Sequence, residues 1–136
     1  MANRNYNPIR GPGFEITHLA GGFLPAGAAP PSISNVDGAT WFTVANTGVG
    51  TYTITLQDQF VAAYAVTFGV SSLAGGTRYF ARLNLPTGVS LNSLLSTTKV
   101  IPVIVTNAAD AAADPVSDAA NVVYFSMMMR NSSVTG

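Results

Sequence analysis

Residues 39–58, ATWFTVANTGVGTYTITLQD, decide the fold of this 136-residue chain. In the second half of the stretch, threonines alternate with Tyr52, Ile54 and Leu56, which is the period of two expected for a strand with one buried face. Between the two halves, TGVG (47–50) supplies the glycines that a tight antiparallel connection needs. The stretch therefore predicts a β-hairpin.

Four further segments predict strands, because they are rich in aromatic and β-branched residues: FVAAYAVTFGV (60–70), RYFARLNL (78–85), KVIPVIVTN (99–107) and NVVYFSMMMRNSS (121–133). Pro102 is expected at an edge or a bulge, since proline cannot donate a hydrogen bond to a neighbouring strand. Residues 91–98, LNSLLSTT, can form one short helical turn, whereas Pro115 makes 109–120 a long loop. The chain is predicted to be all-β: an antiparallel sandwich, jelly roll or barrel with an extended N-terminal arm.

The first 34 residues differ in composition from the rest of the chain. They hold five of the eight prolines together with repeated glycine and alanine, a mixture that favours extended backbone over a packed core. We therefore divide the chain into an arm, 1–34, and a β domain, 35–136, and expect the β domain to fold without the arm. Apolar residues of the arm, with two methionines of the last strand, are the predicted partner-binding residues: Phe14, Ile16, Leu19, Phe23, Leu24, Met127 and Met129.

Charge is scarce along the whole chain. Only 9% of residues are charged, six basic and six acidic, and 48% are hydrophobic, whereas soluble domains usually carry about 25% charged residues. A nearly neutral surface associates readily, so we expect a homo-oligomer, with a trimer as the favoured form. The basic residues are scattered and no run of about 18 apolar residues occurs, which argues against nucleic acid and membrane as partners.

No residue combination in the sequence points to catalysis or to a cofactor. His18 is the only histidine, and Asp110, Asp114 and Asp118 lack the glycine and glutamate of an EF-hand loop. Trp41 is either a core anchor, which we favour, or part of a sugar-stacking platform. With no cysteine present, disulfides and thiolate metal sites are excluded. We expect no enzyme activity, no catalytic residue, no metal and no cofactor.

Two segments carry a resemblance to a known class of proteins. GVGTYTITLQDQF (48–60) and the closing NVVYFSMMMRNSSV (121–134) resemble small β-rich virion structural proteins of tailed bacteriophages, in which a GTYTVTL segment precedes a final strand ending in RNSS. The similarity covers about residues 47–68 and 121–134.

That resemblance implies a virion structural protein, assembled in the host cytoplasm. On this hypothesis the chain is a capsid decoration (cement) protein bound to the major capsid protein at the capsid surface. The alternative is a tail- or fibre-associated host-binding module, whose loops at 75–79 and 108–120 contact a glycan or a protein.

Overall fold

The computed structural model of the protein describes residues 10–11, 14–33 and 41–130. Within these ranges, two antiparallel sheets pack together and a single short helix, α1 (Leu91–Thr97), lies beside them. The larger sheet contains β1 (Arg10–Gly11), β2 (Phe14–Ala26), β3 (Ala29–Ile33), β6 (Ala62–Ser71) and β9 (Val122–Arg130). The smaller sheet contains β4 (Phe42–Gly48), β5 (Thr51–Leu56), β7 (Phe80–Leu83) and β8 (Val100–Thr106). The predicted all-β class is confirmed, and the architecture is a sandwich.

Strand order places β9 and β8 inside their sheets. The larger sheet runs β1-β2-β9-β6, with β3 also paired to β2, and the smaller one runs β4-β5-β8-β7. Along one side of the sandwich β6 lies close to β7, and along the other β3 lies close to β4. The predicted hairpin is β4-β5, which turns through Gly50 at a φ of 67°, a left-handed conformation that favours glycine. All six strands predicted from the sequence are present.

The core lies between the sheets and follows from alternation along each strand. In β5, Tyr52, Ile54 and Leu56 are buried while the threonines between them remain half-buried. Strands β8 and β9 contribute alternate side chains in the same way: Ile101, Val103, Val105, Val123, Phe125, Met127 and Met129. Helix α1 begins after Ser90, whose hydroxyl accepts a hydrogen bond from the Ser93 amide. It packs Leu95 into this core, so the predicted helical turn is confirmed.

The prediction that the first 34 residues stay outside the core is wrong for the part of that segment that the structure describes. Strand β2 pairs with β9 from Ile16 to Phe23, and the Phe23 side chain is completely buried. Glycine here makes room for packing rather than breaking the strand: a Cβ on Gly21 would lie 2.9 Å from the Phe42 ring. Residues 1–9, 12–13 and 34–40 of the proposed arm and its boundary lie outside the described residues.

Pro102 lies in the inner strand β8, so the expected edge position is also wrong. The missing N–H of the proline is nevertheless placed where no strand needs it. The Pro102 carbonyl accepts a hydrogen bond from the Asn84 amide, 3.0 Å away and just past the end of β7. Nitrogen and carbonyl of one residue point to the same side of an antiparallel strand. The proline nitrogen therefore faces Asn84, where β7 has ended, and removes no hydrogen bond between β8 and β5. Within the described ranges, no helix is long and apolar enough to span a bilayer.

Candidate interaction surface

The predicted partner-binding residues are divided between core and surface. Phe23, Met127 and Met129 are at most 1% exposed and face the smaller sheet, so the prediction is wrong for these three. The cause is the inner position of β9, which turns alternate side chains into the core. The half-buried members are Ile16, Leu19 and Leu24; Leu19 packs against the core. Phe14 begins β2, and its side chain lies outside the described residues.

The outer side of the larger sheet presents a flat array of neutral side chains, which we call the neutral face. Strand pairing aligns it in three rows of three residues each, running across β2, β9 and β6. The rows are His18–Met128–Ala65, Ala20–Ser126–Thr67 and Gly22–Tyr124–Gly69. No Asp, Glu, Lys or Arg occurs in these three rows, and the next row on the same side, Ile16–Arg130–Ala62, contains an arginine. A partner confined to the three rows therefore buries no charge.

At one end of the neutral face, glycines on both sides of Tyr124 leave room for its ring to lie against the sheet. The Tyr124 side chain is 51% exposed, and its ring lies where a side chain on Gly22 would stand, since a Cβ there would be 3.2 Å from the ring. Gly69 flanks the same tyrosine on the other side. The ring therefore lies over backbone and presents one broad apolar surface outward, with its hydroxyl available for hydrogen bonding.

The outer side of the smaller sheet has a different character. Threonines dominate β4 and β5 there, and the charged pair Arg82 and Asp110 lies nearby, with the guanidinium nitrogen 2.9 Å from the carboxylate oxygen. Threonine hydroxyls and an exposed ion pair are well solvated. The same outer side also carries Val100, Pro102 and Ile104 of β8. The neutral face differs from it by the exposed ring of Tyr124 and by having no ion pair within its three rows.

A groove of about 440 Å³ separates the edge strands β6 and β7. Its lining combines apolar and aromatic side chains with one charge: Phe68, Gly69, Val70, Ser72, Arg78, Tyr79, Phe80 and Ala81. Phe80 is 49% exposed, and Arg78 makes no ion pair with any residue that the structure describes. This groove was not predicted from the sequence. The sequence feature that could have indicated the groove is the spacing of Arg78, Phe80 and Arg82, which places an aromatic ring between two arginines on the polar side of a strand.

The three aspartates of the long loop each have a structural partner. Asp114 Oδ1 accepts hydrogen bonds from the Gly50 amide at 2.7 Å, the Tyr52 hydroxyl at 3.1 Å and the Asn46 side chain at 3.3 Å. Asp118 accepts from the Ala120 amide, and Asp110 pairs with Arg82. Asp114 thereby fastens the 107–121 loop to the β4-β5 hairpin. Across the described ranges, no three potential metal-ligating side chains come together.

The Asp114 contact also affects Tyr52. Burial, reinforced by the negative charge and the hydrogen bond of Asp114, raises the pKa of the Tyr52 hydroxyl well above its ordinary value of 10.0. The hydroxyl therefore stays protonated and continues to donate to the carboxylate at neutral and moderately alkaline pH.

The two remaining residues considered for function are His18 and Trp41. His18 is exposed on the neutral face opposite Met128. Trp41 packs against the core, with its ring centroid 4.5 Å from that of Phe42 and 5.9 Å from that of Phe125. The favoured interpretation of Trp41 as a core anchor is confirmed.

No protein-family model, curated protein or solved structure matches the chain. Function is therefore inferred from the surfaces described above.

Proposed function

We propose that this protein is a non-enzymatic virion structural protein of a tailed bacteriophage, a decoration (cement) protein that binds the major capsid protein on the head shell. The observation that carries the proposal is the neutral face, nine aligned residues without a charged side chain on a three-stranded part of the larger sheet. A shell is a broad surface, and a flat sheet face is suited to lie against it over a large area.

The chemistry of the neutral face supports a protein partner. Tyr124 offers a large apolar ring with a hydroxyl, and aromatic residues of this kind are enriched in protein interfaces. Ser126 and Thr67 have side-chain oxygens 3.4 Å apart in the central row, and His18 adds a further polar group at one end. A partner can thus be held by apolar contact and oriented by neutral hydrogen bonds.

A binding assay on shells that lack this protein tests the proposal. The Ala20→Lys variant places a charge in the central row of the neutral face, and Ala45→Lys places the same charge on an exposed position of β4, on the opposite sheet. We expect Ala20→Lys to weaken binding at least tenfold and Ala45→Lys to bind as the unmodified protein does. Equal binding of both variants contradicts docking through the neutral face.

Imaging of assembled particles tests the location independently. Particles with and without this chain should differ in density on the outer surface of the head. A difference confined to the tail or the fibres rejects the decoration proposal and favours the host-binding alternative.

A further inference from the structure

Strand β6 is an open edge of the larger sheet. One side pairs with β9, and the other pairs with no described strand. Its first residues are covered on that side, because Asn92 of α1 accepts a hydrogen bond from the Ala63 amide at 2.9 Å and a bulge follows between Ala63 and Ala65. From residue 65 to 70 the described residues provide no backbone hydrogen bond other than those of β9. Alternate N–H and C=O groups there remain available for another strand.

The sequence of β6 has none of the usual protection of an edge strand. Natural edges are blunted by lysine or other charges, by proline, by bulges or by short length. Ala62–Ser71 is ten residues long and contains neither a charged residue nor a proline, and its bulge lies at the part that α1 already covers. An edge of this kind pairs readily, and two identical copies would bring no like charges opposite each other within the strand.

Opposite charges flank the open edge at its two ends. Asp58 lies in the turn that leads into β6, whereas Arg78 lines the groove beside Phe68 and Val70, near the end of β6. Both side chains are exposed, and neither makes an ion pair with a described residue. An antiparallel copy of β6 reverses this order, so that the positive end of one strand meets the negative end of the other.

We propose that β6 pairs antiparallel with β6 of a second copy of this chain, with the two Thr67 residues opposite each other at the axis. The pairing joins the two larger sheets into one continuous sheet and places the second strand along the groove, where it covers Phe80. Pairing of identical edges about a two-fold axis is complete with two copies. The assembly unit from this surface is a dimer, in contrast to the trimer expected from composition.

Light scattering of the full chain during size-exclusion chromatography measures the mass directly. We expect twice the 14.1 kDa of one chain. Thr67→Lys, at an exposed position near the centre of the open stretch, brings two like charges together across the axis and should raise the dimer dissociation constant at least tenfold. The matched control is Ala20→Lys, which lies in the same row of the sheet but two strands away on β2, and should leave the dimer intact. Circular dichroism verifies that both variants are folded.

Particular results overturn the proposal. A monomer or a trimer of the unmodified protein at tens of micromolar excludes the two-fold pair, and an undisturbed dimer of Thr67→Lys excludes β6 as its interface. The dimer can be tested separately from the virion proposal, because Ala20→Lys should weaken shell binding at least tenfold while it leaves the dimer unchanged.

Discussion

Phe23→Ala should strongly destabilise the protein, because the ring belongs to the core and not to a detachable arm. Phe23 is completely buried on β2, and its ring centroid lies 5.2 Å from that of Tyr52 on the opposite sheet. Removal of a buried phenylalanine ring typically costs about 3–5 kcal/mol, which includes both lost transfer free energy and the cavity left behind. Since domains of this size are stable by roughly 5–15 kcal/mol, the loss is a large fraction of the total.

Urea denaturation followed by circular dichroism and by the fluorescence of Trp41, the single tryptophan, measures this loss. Leu24→Ala is the matched control, because Leu24 is the next residue on β2 and only half-buried; we expect it to lose about 1 kcal/mol. If Phe23→Ala unfolds at the same urea concentration as the unmodified protein and instead loses only its binding to particles, the burial argument is refuted and the arm hypothesis is restored.

Three further predictions concern the long loop and its tyrosine contact. Asp114→Ala removes a charged acceptor of three hydrogen bonds and should reduce the free energy of unfolding by about 2–4 kcal/mol. The control Asp110→Ala breaks an exposed ion pair and should reduce it by less than about 1 kcal/mol. Equal losses for the two variants in urea titrations would contradict the structural role of Asp114. Because the folded state raises the pKa of Tyr52 above 10.0, the unfolded chain loses that proton first, so the free energy of unfolding should fall above pH 10 by at most about 1.4 kcal/mol per pH unit. Tyr52→Phe should show a shallower decline over the same range, and identical slopes would argue against the raised pKa. A chelator should leave the melting temperature unchanged, and a marked decrease with EDTA would indicate that the loop aspartates bind calcium.

Strand-forming segments could be predicted from the sequence wherever the alternation of side chains was regular. Strand β2 could not, because its glycines and Pro25 are typical of irregular backbone. The structure explains the glycines through contacts that are distant in sequence: Gly21 faces the rings of Trp41, Phe42 and Phe125. A residue that is small because its neighbours are large looks the same in a sequence as a residue that is small because the chain must bend.

The candidate surface was harder to predict than the strands, because exposure depends on which strand lies at an edge. Three consecutive methionines place side chains on both faces of β9, but only pairing with β2 and β6 shows that Met127 and Met129 face the core while Met128 faces outward. The composition of β6 is similarly apolar, yet β6 lies at the edge. Local sequence gives the period of a strand and leaves its neighbours undetermined.

The scarcity of charge has two separate consequences in the folded protein. On the neutral face it removes the cost of burying charged groups against a broad partner, and along β6 it removes the repulsion that normally keeps sheet edges apart. The two surfaces meet at Ala65, Thr67 and Gly69, which belong to both. Pairing of β6 across a two-fold axis would therefore join two neutral faces into one, on the same side of a continuous sheet. A dimer would then bind a repeating shell at two points, and loss of the β6 contact should weaken shell binding indirectly, through the loss of bivalency, even though the neutral face itself is intact.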